Sequence, residues 1–165
     1  MAKVKTLYIM RHAEASIGVA RQDIDRPLTM EGERDARHMG RWLNLQSPVP
    51  EKLYVSAAYR TKQTAEVVME ELHQQHTSVI LPELYEASVR TLLSMVTAFE
   101  DNRSCLMIIA HNPAITYLAD FLTLEPIAGM QPGAIIGLSF EVDTWAEVSQ
   151  GSGEILFSRS PEPHG

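Results

Sequence analysis

The sequence has few cysteines, and it lacks a long apolar run near its N-terminus. Cys105 is the single cysteine among 165 residues, so it has no partner for an internal disulfide, and a reducing compartment is the simpler expectation. The apolar run that begins at Leu7 ends at Arg11, which is too short for a signal peptide or a membrane span. From these two absences we expect a cytoplasmic protein that does not contact membranes.

Positive charge is also scarce. Lysine and arginine total 14 against 21 aspartate and glutamate residues, which gives a formal net charge of −7. Nucleic-acid-binding proteins normally carry an excess of basic residues, so nucleic acid is not an expected partner. An anionic ligand would have to be held by a local cluster of cations. The overall acidity by itself favours solubility.

The composition is that of an ordinary soluble globular protein, with 45% hydrophobic and 21% charged residues. A chain of this length can bury a sizeable core without disulfides or metals. The sequence shows no internal repeat, linker or low-complexity block. We therefore expect one domain over residues 1–165, in which the proline-containing tail 160–165 is frayed.

The hydrophobic pattern alternates between short apolar runs and helical periodicity. Strands are predicted at residues 7–10, 53–55, 79–81, 105–110, 134–142 and 154–158. Helices are predicted at about 30–45, after 57–60, after 88 and after 113, with Thr29, Ser88 and Asn112 as N-caps and Pro113 at the first helical position. This order predicts an α/β fold: a three-layer α/β/α sandwich around a mostly parallel sheet, with an antiparallel edge.

Three of the predicted strands are followed directly by polar and charged residues. These are Arg11 and His12 after the first strand, Ser56 with Arg60 after the second, and His111 with Asn112 after the fourth. In open α/β sheets, ligands bind at the carboxyl ends of the strands. Two histidines and two arginines at such an edge indicate a phosphate site, because guanidinium groups match phosphoryl oxygens in a bidentate manner.

These residues resemble a known family. Arg11-His12-Ala13-Glu14 is similar to the Arg-His-Gly signature of the histidine phosphatase superfamily, which has the phosphoglycerate-mutase-like fold. Further matches follow in the family's order over about three quarters of the chain: Arg26-Pro27-Leu28-Thr29 with Gly32, Val55-Ser56 with Arg60 and Gln63-Thr64, Leu81-Pro82-Glu83-Leu84, and Ala110-His111-Asn112-Pro113. The short loops and the Arg-Pro-Leu-Thr run most resemble the SixA-type branch, small bacterial phosphatases that act on phosphohistidine in proteins.

The resemblance implies a role for each matched residue. His12 would be the nucleophile that takes up the phosphoryl group, and the phosphoryl oxygens would be held by Arg11, Arg60 and His111. Arg26 and Asn112 would be further phosphate or substrate contacts. Glu83 lies where many relatives carry a proton-donating glutamate, and Glu86 is a rival close by.

Physical chemistry supports these roles. A histidine attacks phosphorus only while one ring nitrogen is unprotonated, and neighbouring arginines disfavour the imidazolium form. We expect the other ring nitrogen of His12 to donate to a backbone carbonyl or a carboxylate. Ala13 replaces the signature glycine, which is tolerable if its φ angle is negative.

No His/Cys/Asp cluster in the sequence has metal-ligand spacing, so we expect neither a metal nor another cofactor. The chain has no long insertion that could form a lid, which favours an open site and a protein substrate such as a phosphorylated histidine-phosphotransfer domain. Two alternatives stay open at this point. One is a phosphatase or mutase acting on a small phosphate ester, and the other is a non-catalytic phosphate-binding module.

Overall fold

The computed structural model describes residues 3–18 and 20–163, and this part of the chain contains six strands and four α-helices. The strands are β1 Lys5–Arg11, β2 Lys52–Ser56, β3 Thr77–Leu81, β4 Cys105–Ala110, β5 Ile135–Phe140 and β6 Gly153–Arg159. The helices are α1 Met30–Asn44, α2 Tyr59–Glu71, α3 Val89–Thr97 and α4 Ala114–Thr123. All the predicted strands and helices are present.

The six strands form one sheet in the order β3-β2-β4-β1-β5-β6. The first four strands are parallel to one another, whereas β5 runs antiparallel to β1 and β6 antiparallel to β5. The predicted mostly parallel α/β fold with an antiparallel edge is therefore confirmed. Because β2, β4 and β1 are neighbours and parallel, their carboxyl ends lie side by side at one edge of the sheet.

The core lies on both faces of the sheet. Along β1, Leu7 and Ile9 belong to a cluster that includes the buried residues of α3 and α4, while Tyr8 and Met10 belong to a second cluster with residues of α1 and α2. All four side chains are at most 1% exposed. Side chains alternate across a strand, so the two clusters lie on opposite faces. The predicted three-layer arrangement is confirmed.

Two helices begin at the predicted N-caps. The side chain of Thr29 accepts a hydrogen bond from the Gly32 amide at 2.9 Å, and Ser88 accepts one from the Thr91 amide at 3.1 Å. Each bond satisfies an amide that has no partner within its helix. The start of α1 matters for the site, because it follows directly on the loop after β1.

The predicted start of the fourth helix was wrong by one residue. Pro113, not Asn112, is the N-cap residue of α4. The Asn112 amide instead donates to the Met130 carbonyl at 3.1 Å, and its oxygen accepts from the Thr116 hydroxyl at 2.6 Å. Since the side chain joins a distant loop to α4, its oxygen is not used by the first helical amides.

Residues 160–163 of the predicted frayed tail belong to no helix or strand. The other two tail residues, His164 and Gly165, lie outside the described residues. Across residues 3–18 and 20–163, every helix is too short or too polar to cross a membrane.

Candidate active site

His12 lies directly after β1 and is 9% exposed. Its Nδ1 is 2.7 Å from the backbone oxygen of Ala13. A carbonyl oxygen only accepts, so Nδ1 carries the proton and Nε2 carries the lone pair. The expectation that a backbone carbonyl or carboxylate orients this ring is confirmed, and Nε2 is the atom available for attack.

The environment of His12 keeps its ring neutral. Burial lowers the pKa of His12 from 6.5 to about 4, although the hydrogen bond to Ala13 acts in the opposite direction. The positive charges of Arg60, Arg11 and Arg26 lower this pKa further. At neutral pH the ring is therefore an unprotonated nucleophile.

His111 follows β4, and the centroid of its ring is 5.3 Å from that of His12. Its Nδ1 lies 3.5 Å from Nη2 of Arg60, and its Nε2 lies 2.7 Å from the hydroxyl of Ser56 at the end of β2. Arginine only donates, so Nδ1 is the acceptor and Nε2–H donates to Ser56. Burial lowers the pKa of His111 to about 3, and the charges of His12 and Arg60 add to this effect.

Arg60 and Arg11 supply buried positive charge. Arg60 is 6% exposed, and its Nη1 donates to the Asp23 backbone oxygen at 2.8 Å. Nη1 of Arg11 donates to the Met130 carbonyl at 2.9 Å. The Nε atoms of both arginines are buried and have no hydrogen-bond partner among the residues that the structure describes. Buried donors of this kind are normally satisfied, so an oxyanion would complete their hydrogen bonding.

Asp23 is a site residue that the sequence analysis missed. It lies in a short 3₁₀ helix, Asp23–Asp25, and its carboxylate accepts three hydrogen bonds: from Tyr85 at 2.6 Å, Arg26 at 2.9 Å and Arg60 at 3.0 Å. These bonds, with Tyr85 contributing most, lower the pKa of Asp23. The sequence does carry a weak signal, because Asp23 and Arg26 are three residues apart. Arg26, whose Nε donates to the Ser16 carbonyl at 2.8 Å, is thereby joined to Arg60.

Thr64 connects the loop after β1 to α2. The Ala13 amide donates to the Thr64 hydroxyl at 3.0 Å, and that hydroxyl donates to the backbone oxygen of Arg60 at 2.7 Å. Ala13 itself is fully buried. Among the described non-glycine residues, only Leu124 has a positive φ, so Ala13 in the position of the signature glycine meets the expected condition.

A cleft of about 310 Å³ adjoins Arg60 and His111. Its other polar lining residues are Asp23, Tyr85, Glu86 and Asn112. Of the two candidate proton donors, Glu86 therefore borders the cleft, whereas Glu83 is exposed and is not among the lining residues. Within residues 3–18 and 20–163, no three His, Cys, Asp or Glu side chains are grouped closely enough to hold a metal ion.

Comparison with known proteins agrees with this geometry. The sequence model of the histidine phosphatase superfamily (branch 1) matches residues 7–104. The phosphohistidine phosphatase SixA of Escherichia coli is 32% identical over 114 residues, which are 68% of this chain and 70% of that protein.

Two solved structures are also similar to this chain. A provisionally assigned phosphohistidine phosphatase SixA from Nakamurella multipartitia has a TM-score of 0.84 at 30% identity, covering 97% of this chain and 98% of that one. The protein histidine phosphatase SixA complexed with tungstate has a TM-score of 0.77 at 28% identity, covering 94% and 97%. The six-stranded sheet with four helices is thus shared with phosphoglycerate-mutase-like SixA structures.

Proposed function

Because the chain belongs to the histidine phosphatase superfamily, we propose that it removes phosphate from phosphohistidine in proteins through a phosphoenzyme on His12. The observation that carries the proposal is the pairing of a neutral His12, whose Nε2 bears a lone pair, with the buried and unpartnered Nε donors of Arg11 and Arg60. A nucleophile and an oxyanion site are the two parts that phosphoryl transfer requires. The similarity to a SixA that binds tungstate, an oxyanion, supports the same reading.

In the first step, the lone pair of His12 Nε2 forms a bond to phosphorus. The bond between phosphorus and the substrate nitrogen breaks, and its electron pair stays on that nitrogen, which takes up a proton. Glu86 and Glu83 are the candidate donors of this proton, and we favour Glu86 because it borders the cleft. An imidazole leaving group demands less of an acid than an alkoxide does.

In the second step, water attacks the phosphoryl group on His12. The phosphorus–nitrogen bond breaks, its electron pair returns to Nε2, and the water loses a proton as inorganic phosphate forms. In both steps the charge on the equatorial oxygens would be stabilised by Arg11, Arg60 and His111, which are already held in place by other contacts. We propose that these groups, with Arg26 and Asn112 as outer contacts, work without a metal or another cofactor.

We favour a protein substrate over a small phosphate ester because the site is open. The Asp23 side chain at its edge is 53% exposed, and Glu86 is exposed as well. A phosphohistidine on the surface of a folded domain, such as a histidine-phosphotransfer domain, has to reach His12 without a lid closing over it. The single domain over residues 1–165 and the cytoplasmic location stay predictions.

Trapping of the phosphoenzyme tests the proposal. We would mix the enzyme with a histidine-phosphotransfer domain that carries labelled phosphohistidine, quench within milliseconds, and measure both label on the enzyme and released phosphate. Wild type is expected to carry acid-labile, alkali-stable label and to release phosphate, and His12→Ala is expected to do neither. The matched control is His38→Ala, which removes an exposed histidine of α1 and is expected to behave as wild type.

Full activity of His12→Ala would contradict the mechanism. Faster turnover of sugar phosphates or phosphoglycerates than of the phosphoprotein would contradict the protein substrate and favour a phosphatase or mutase of small esters. Binding of the phosphoprotein without any label on the enzyme or released phosphate would indicate a non-catalytic phosphate-binding module.

A further inference from the structure

We propose that Asp23 is a specificity-determining residue, which gives the leaving-group side of the site a carboxylate. It would favour leaving groups that carry an N–H donor, such as imidazole, and disfavour leaving groups that carry an anion close to the phosphoryl group. This inference rests on the proposed function, because it takes His12 as the nucleophile that defines where the leaving group lies.

The position of Asp23 follows from the geometry of the displacement. In phosphoryl transfer the attacking and leaving atoms lie roughly in line on opposite sides of phosphorus. The leaving group must therefore extend away from His12. The cleft that Asp23 lines adjoins the site through Arg60 and His111, and neither His12 nor Arg11 is among its lining residues. It is thus the concave surface that a leaving group would enter.

The Asp23 carboxylate has capacity left for a substrate donor. A carboxylate offers about four acceptor positions. Oδ2 accepts from Arg60 and Tyr85, while Oδ1 accepts from Arg26 alone. One acceptor position on Oδ1 is therefore free of the contacts that the structure describes, and the side chain is 53% exposed. An imidazole N–H in the cleft can donate to this oxygen.

The charges around the cleft discriminate against anionic leaving groups. Two carboxylates, Asp23 and Glu86, line it, and the single lining cation among the described residues is Arg60. Arg60 is already shared between Asp23 and His111, and its Nε is the donor we assign to the phosphoryl group. A carboxylate beside the phosphoryl group, as in a phosphoglycerate, would face like charges without a cation of its own.

Substrate ratios within one enzyme test the role of Asp23. We would measure kcat/KM for phosphoimidazole, 3-phosphoglycerate and phenyl phosphate, whose leaving groups respectively carry an N–H donor, an anion and neither. In Asp23→Asn, we expect the ratio of 3-phosphoglycerate to phenyl phosphate to rise about tenfold, because a like charge is removed. The ratio of phosphoimidazole to phenyl phosphate is expected to fall at least about threefold, since a hydrogen bond to a charged acceptor is lost.

Two controls separate this role from a structural one. Asp25→Asn removes the same charge from the same short helix but outside the cleft lining, so both ratios are expected to stay at the wild-type values. Tyr85→Phe removes one hydrogen bond to Asp23 and keeps the carboxylate, so it is also expected to preserve the ratios. A displaced Arg60 would lower all three rates by a common factor, which cancels in each ratio.

Ratios in Asp23→Asn that stay within twofold of wild type would overturn the inference and leave Asp23 as a residue that only positions Arg60. The ratio of 3-phosphoglycerate to phenyl phosphate decides this even if phosphoimidazole is not a substrate. Failure to turn over phosphoimidazole would contradict the proposed function instead, so the two failures are distinguishable.

Discussion

The neutral state of His12 should persist when the pH is lowered from 8 to 5. Burial lowers the pKa of this residue to about 4, and the neighbouring arginines act in the same direction. Because the lowered pKa favours the unprotonated ring, the nucleophile should survive on the acid side of neutrality, where an ordinary histidine would be lost.

The size of the effect follows from the two pKa values. A histidine with the ordinary value of 6.5 is about 97% protonated at pH 5, whereas one with a pKa of about 4 is about 10% protonated. The unprotonated fraction at pH 5 is therefore about thirtyfold larger in the folded protein than in a histidine exposed to water. The acid limb of kcat/KM for the free enzyme should fall at a correspondingly low pH.

The direct measurement is an NMR titration of the imidazole signals of the free enzyme. It is preferable to a rate profile alone, because a substrate phosphate itself titrates near pH 6. His12→Gln assigns the signal of the nucleophile, and His111→Gln assigns that of its neighbour. We expect neither signal to reach its midpoint above pH 5, since burial also lowers the pKa of His111, to about 3.

A midpoint near 6.5 for the signal that His12→Gln removes would refute the reasoning. It would mean that water reaches the ring in solution, so that burial does not penalise the imidazolium. The same result would remove the physical reason for a neutral nucleophile at physiological pH.

Two further substitutions test the packing around the site. Ser56→Ala leaves the buried Nε2–H of His111 without its acceptor, which costs about 1–3 kcal/mol, so steady-state kcat/KM should fall by roughly 5- to 150-fold; an unchanged value would show that this bond does not orient His111. Gly32→Ala places a Cβ on the backbone oxygen of Glu14, which has to shift, so denaturant titration should show a loss of about 1–3 kcal/mol in the free energy of unfolding; an unchanged midpoint would show that this contact is easily relieved.

The strands and most helices could be predicted from the sequence because their signals are local. The run Cys105–Ala110 is a strand as expected, since six consecutive apolar residues that are all buried need a covering layer on each face. Thr29 and Ser88 were correctly identified as N-caps for the same reason. Asn112 was not, because its side chain bonds to Met130, 18 residues away, and a local pattern contains no information about that partner.

The candidate site shows the same division. The sequence alone determined which strand ends carry charge and which residues resemble the phosphatase motifs, because these are properties of short segments. The order of β2, β4 and β1 in the sheet, which brings those ends together, was decided by tertiary packing. So were the tautomers of His12 and His111, each set by one hydrogen-bond partner. Asp23 became visible only through contacts with Arg60 and Tyr85, 37 and 62 residues away, because a carboxylate gains its role from the donors that the fold places around it.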